Sequence, residues 1–204
     1  MPPLFFRDSP RLLVLLAVLC MAGTAAAHTG GDNTLLAHGT SAFLPGAMHP
    51  WTGPDHLLAM LAVGLWSAMT NHRWWIAPLV FAQMLLAGAV LGLSGLSLPM
   101  VEPMIASSLV VMGLLLVARA RLTLAAGAAL VGLFAVFHGF AHGVELAGTN
   151  HPWQPLAGMV LSTLVLHAIG IAVGLALRNR NRWWSKATGI LVLLTGGAML
   201  LQAV

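Results

Sequence analysis

His49-Pro50-Trp51-Thr52-Gly53-Pro54-Asp55-His56 leads straight into Leu57-Leu58-Ala59-Met60-Leu61-Ala62-Val63-Gly64-Leu65-Trp66. Taken from Trp51 to residue 70, the stretch has the roughly 20 residues that a helix needs to cross a bilayer. Two imidazoles and a carboxylate stand at its mouth. Ionisable groups at the edge of lipid are expensive, so they read first as functional. A cation held there is the simplest reason for keeping them.

The rest of the chain carries the same signature. Its 204 residues are 59% hydrophobic and only 7% charged, with a mean hydropathy of +0.91. So little charge excludes a water-soluble fold and points to an all-α, polytopic membrane helix bundle whose solvent is the lipid bilayer. The basic pI is not a nucleic-acid signal, because the nine Lys and Arg are not gathered on a soluble domain. A single cysteine, Cys20, leaves no disulfide framework or thiolate metal cluster.

Arg7 and Arg11, the apolar stretch Leu12 to Met21 and Ala25-Ala26-Ala27 have the three parts of a signal peptide. The expected division is therefore 1–27, removed after Ala27, and 28–204, the mature membrane domain. The alternatives are an uncleaved anchor or lipidation at Cys20. Met21 after that cysteine, with no compact lipobox before it, counts against lipidation. Six stretches then have spanning length: 51–70, 75–93, 100–118, 122–142, 155–177 and 187–204. His72 and Arg73, Arg119 and Arg121, and Arg178, Arg180, Arg182 and Lys186 occupy the first, third and fifth connectors. The second and fourth, around Ser94 to Val101 and Gly148 to Trp153, contain no Lys or Arg. The positive-inside rule makes the basic side cytoplasmic, which puts both ends of the mature chain outside a bacterial inner membrane.

Trp74 and Trp75, and Trp183 and Trp184, follow basic residues in two of these connectors. Interfacial anchoring explains them better than an internal repeat does, and no sequence symmetry supports an inverted repeat. Small residues at Ala87-Gly88-Ala89, Ala125 to Ala129 and Gly196-Gly197-Ala198 suit close helix–helix approach.

A second polar cluster is Phe137-His138-Gly139-Phe140-Ala141-His142-Gly143-Val144-Glu145. His138, His142 and Glu145 fall at i, i+4 and i+7, on one face of a helix. A lone membrane histidine that bonds a neighbouring carbonyl would need no metal. Two histidines and a carboxylate on one stripe make half of a metal site. His138 lies roughly 25 Å along a helix that starts at Arg121, at 1.5 Å per residue. That is the outer third, the same side as His49, Asp55 and His56 in the first turns of the antiparallel first helix. Pro54 suits the first helical position, which puts Asp55 where the positive end of the helix dipole favours a carboxylate. Imidazole and carboxylate without thiolate suit nickel, cobalt, zinc or copper(II) better than magnesium or calcium. Met48 and Met60 read as packing, not as copper(I) ligands.

Other candidates are weaker. His28, as a new N-terminus, pairs an amine with its imidazole, or is simply the residue after the cut. His38 precedes the first helix and could join the same site. His167, inside the fifth span with Ser162 and Thr163 a turn away, reads equally as an inner relay or as a satisfied interhelical histidine. Glu102, His72 and His151 read as solvated.

With those residues in view, the chain resembles the HupE/UreJ family of hydrogenase- and urease-accessory membrane proteins. The resemblance rests on HPWTGPDHLLAMLAVG (49–64), on FHGFAHGVE (137–145), and on a signal peptide followed by six helices. The His-x5-Asp-His element is also similar to the His-x4-Asp-His signature of nickel/cobalt transporters, with one extra residue. The resemblance carries His49, Asp55, His56, His138, His142 and Glu145 over as metal ligands. It implies nickel uptake, with cobalt in some members, in the context of hydrogenase or urease maturation.

The expectation is thus a permease for nickel first and cobalt second, with the metal as cargo, no permanent cofactor and no catalysis. The rivals are a membrane sensor or scaffold that binds the ion without moving it, and a membrane-embedded metalloenzyme. Oligomeric state and driving force have no signal in the sequence.

Overall fold

The computed structural model describes residues 42–203. Over them the chain is all-α, with seven helices and no strand among the described residues. In chain order they are α1 (Phe43–Thr52), α2 (Pro54–Thr70), α3 (Ile76–Leu93), α4 (Val101–Ala118), α5 (Leu124–Leu146), α6 (Trp153–Leu177) and α7 (Arg182–Ala203). By length and composition the last five can each cross a membrane, and the chain is a multi-pass membrane protein. The expected signal segment 1–27, with Cys20, lies outside the described residues, as do His28 and His38.

The stretch expected as one helix over 51–70 is two. A proline disfavours the helical backbone in the residue before it, and Gly53 is extended, with φ −84° and ψ 113°. Pro54 opens α2 as its first residue and Asp55 follows in the first turn. His49, however, is not in the first turns of that helix as expected. It sits in the last turn of α1, a separate helix of 10 residues. The fourth expected span, 122–142, runs on to Leu146, so Glu145 shares the helix of His138 and His142. The last expected span begins five residues earlier, at Arg182 rather than 187.

At 17 residues α2 is shorter than the five helices that follow it, roughly 26 Å at 1.5 Å per residue. It is also the most enclosed. Every residue from Ala62 to Ala68 is buried, and α2 touches α1, α3, α4, α6 and α7. A helix buried all round is a core helix, and the site is built on its first turn.

Small residues set the helix pairs, because in lipid close packing replaces the hydrophobic drive. A Cβ on Gly170 would stand 2.4 Å from Leu61 O, and one on Gly174 2.8 Å from Leu65 O, so α2 and α6 run parallel in backbone contact. Gly139 against Leu85 and Gly143 against Ala89 bring α3 and α5 together in the same sense. Gly196 against Ala106 and Gly189 against Val117 make α4 and α7 antiparallel. At the other limit Trp66 packs against Gly127 while His56 meets His142, which sets α2 antiparallel to α5.

Helices α2, α4 and α6 therefore run one way and α3, α5 and α7 the other. The basic connectors gather at one end of the bundle. Trp66 Nε1 donates to Ala120 O at 2.9 Å, Ser67 Oγ to Trp74 O at 2.7 Å, and Arg119 Nε to Ser185 Oγ at 2.8 Å. Trp75 and Trp183 are exposed there beside the arginines, as anchoring residues would be.

Candidate metal centre

At the opposite end, α1 is held by α6. Gly46 and Gly158 let the two backbones touch, since a Cβ on either would stand 2.1 Å from Pro155 O or 2.2 Å from Phe43 O. Ser162 Oγ donates to Ala47 O at 2.5 Å, and Gln154 Oε1 accepts from Ala42 N at 3.2 Å. A helix of three turns is not stable alone, so these contacts fix where His49 points. They bring it over the start of α2.

His49, His56 and His142 come from three different helices, and one ligand atom from each lies within 4.8 Å of the others. Their ring centroids are 5.5 Å apart for His49 and His56, 4.9 Å for His49 and His142, and 4.5 Å for His56 and His142. His56 and His142 are buried. His138, one turn below His142, has its ring centroid 5.1 Å from that of His56. The two sequence clusters thus meet at one place, with His138 beside the converging three rather than among them.

The two carboxylates sit differently. Asp55 Oδ1 lies 2.9 Å from His56 Nδ1, with both side chains buried. Glu145 Oε2 lies 3.4 Å from His142 Nδ1, and its side chain is 41% exposed, at the rim. Both face imidazole nitrogens, and neither is among the three residues whose ligand atoms converge. A carboxylate on the far nitrogen of a ligating histidine fixes ring orientation and tautomer and raises basicity. With Nδ1 of His142 facing Glu145, the other nitrogen, Nε2, is buried without a hydrogen-bond partner. Gly53 makes room for the arrangement, since a Cβ there would fall 2.9 Å from Asp55 Oδ1 and 3.2 Å from His56 Nδ1.

Three participants have no counterpart in the sequence motifs. Ser108, on α4, lies with its Oγ 3.0 Å from His138 Nε2. Ser107 and Ser108 are the only hydroxyls in α4, and a serine buried in an apolar span was the available signal. Phe81, on α3, packs its ring 5.7 Å from His138 and 5.1 Å from His167. The third is the α1–α6 contact.

His167 itself is buried on α6 with Nδ1 2.7 Å from Thr163 O of its own helix. Phe81 links it to the cluster without a shared ligand position. Glu102, His72 and His151 are exposed, as expected of solvated residues. Met60 is fully buried in the core and Met48 is half exposed; neither joins the converging group.

The family described as HupE / UreJ protein matches residues 16–199. This chain belongs to the HupE/UreJ family. Among curated relatives, Protein HupE of Rhizobium leguminosarum bv. viciae is 37% identical over 192 residues, covering 93% of this chain and 97% of its own length. No solved structure matches the chain.

Proposed function

We propose that this protein is a permease for a divalent transition metal, nickel first and cobalt second, which supplies a metalloenzyme such as hydrogenase or urease during maturation. The observation that carries the reading is the convergence of His49, His56 and His142 within 4.8 Å, at the end of the bundle away from every Lys and Arg of the described residues. Imidazole without thiolate suits nickel and cobalt. Membership in the HupE/UreJ family supports the same metals. In the proposed arrangement His49, His56, His142 and His138 supply the ligands, and Asp55 and Glu145 hold His56 and His142 in orientation. The carboxylates also supply negative charge that draws the cation to the mouth.

The proposed topology has six spans, α2 among them, after a signal peptide removed behind Ala27. The short α2 spans because it is buried in protein and needs no lipid-facing length. The basic end is cytoplasmic by the positive-inside rule, which puts the histidine cluster and both mature ends outside the inner membrane. Metal enters over α1 and moves inward beside α2, past Phe81 and His167. Binding has to replace hydration and still release the ion.

Uptake of labelled nickel into proteoliposomes tests this. The account expects saturable accumulation in the lumen, abolished by His56→Ala in protein that still inserts and folds. Saturable binding with no accumulation would replace the permease with a membrane metal scaffold.

A further inference from the structure

We propose that Ser108 is a positioning residue of the metal site, holding His138 in the tautomer that leaves its Nδ1 lone pair for the ion. The inference rests on the metal reading above and adds the atom through which His138 binds.

Ser108 Oγ lies 2.6 Å from Ile105 O, one turn back on α4, and 3.0 Å from His138 Nε2 on α5. A carbonyl only accepts, and a serine hydroxyl has one hydrogen to give. That hydrogen goes to Ile105 O. The remaining contact is a hydrogen bond only if His138 Nε2 carries the proton and the serine oxygen accepts it. In an imidazole with one proton, Nδ1 then keeps its lone pair.

His138 Nδ1 is buried and has no hydrogen-bond partner in the protein. Leaving a buried acceptor unsatisfied is costly, and the ring around it is fully buried, 5.1 Å from that of His56. A cation shared with His56 resolves that cost. Ser108 could satisfy itself through Ile105 alone, so bridging α4 to α5 is its distinctive contribution. His142 shows the complementary choice, with a carboxylate at Nδ1 and Nε2 left over. The two histidines, one turn apart on α5, therefore leave opposite nitrogens without a hydrogen-bond partner in the protein.

The test is solid-state NMR of the full chain in lipid bilayers with isotope-labelled histidine nitrogens, assigned by the resonances lost in His138→Asn. Without metal, the proton of His138 should sit on Nε2. Cadmium, as a diamagnetic probe, should shift His138 Nδ1 and leave Nε2 protonated. Ser108→Ala should lose the tautomer preference and weaken cadmium binding about 10–100-fold, the usual effect of removing an outer-sphere partner. Ser108→Thr, which keeps the hydroxyl, should recover both. A wild-type proton on Nδ1 overturns the proposal, even if Ser108→Ala fails to accumulate. So does an unchanged tautomer and affinity in Ser108→Ala. Cadmium shifts at His56 and His142 without one at His138 Nδ1 would keep the metal site and refute this role alone. A protein that binds cadmium in this way but transports nothing would refute the permease and leave Ser108 in place.

Discussion

Replacing Gly139 by alanine should move both histidines of α5 out of the site. The added Cβ would lie 1.8 Å from Leu85 O and 2.6 Å from Leu85 C, where ordinary contact begins at 3.4 Å. The obstacle is the backbone of α3, which has no rotamer to change. Relief requires α3 and α5 to part by roughly 1.5 Å, in an interior packed as densely as a crystal. Overpacking of this kind costs typically about 1–3 kcal/mol, and a backbone clash belongs at the upper end. The site suffers in parallel. Gly139 follows His138 directly, and His142 is one turn on. A ligand set tolerates about 0.2 Å of error in its distances, so displacing α5 by several times that separates His142 from His49 and His56. Gly197→Ala is the matched control, since its Cβ meets nothing within 4 Å. It should leave stability unchanged or raise it by up to about 1 kcal/mol, the helix preference of Ala over Gly. The assay is the unfolding midpoint in detergent together with a nickel titration on the same samples. Gly139→Ala with the midpoint and affinity of Gly197→Ala would refute the packing argument.

Gly53→Ala should separate site from fold, because its Cβ strikes only side-chain atoms of Asp55 and His56, at 2.9 and 3.2 Å. Loss of a charge-assisted contact worth about 1.5–3 kcal/mol predicts nickel affinity down roughly tenfold to a hundredfold in a variant that still inserts and folds; an unfolded variant would contradict it. Trp66→Phe removes the 2.9 Å bond to Ala120 O and leaves that carbonyl unpaired, a loss of about 1–3 kcal/mol in the same unfolding assay, with nickel affinity retained. Alkaline phosphatase fused after Gly148 should be active and a fusion after Arg180 inactive, and the reverse pattern would invert the proposed membrane orientation.

Most of the fold was legible because lipid allows so few solutions. Runs of apolar residues gave five of the six expected spans, and the spacing of the arginines gave alternating directions that agree with the helix contacts. The join at Gly53-Pro54 was visible as a helix start. What the sequence did not reveal was a helix before it, because ten residues rich in Pro and Gly have no spanning length and are held chiefly by packing on α6. His49 was therefore assigned to the right place on the wrong helix. The site was legible as two clusters that share a depth, and the structure brings them together. Their internal roles were not. Spacing along one helix treats Asp55 and Glu145 as equals of the histidines, while the contacts set both carboxylates against imidazole nitrogens. Ser108 and Phe81 approach from α4 and α3, and only the packing of those helices reveals them. Gly196 and Gly197 make the same point on a small scale. They are adjacent and chemically identical, yet one is wedged against α4 and the other faces open space.

In the proposed site one ion sits among imidazoles drawn from α1, α2 and α5. X-ray absorption at the nickel edge of the loaded, full-length protein tests it most directly. The account predicts a nitrogen-rich sphere with the outer-shell scattering of at least three imidazoles, matching the converging group of His49, His56 and His142, no sulfur, and loss of imidazole scattering in His56→Ala. A sphere of oxygen donors alone, or a sulfur ligand, would contradict it.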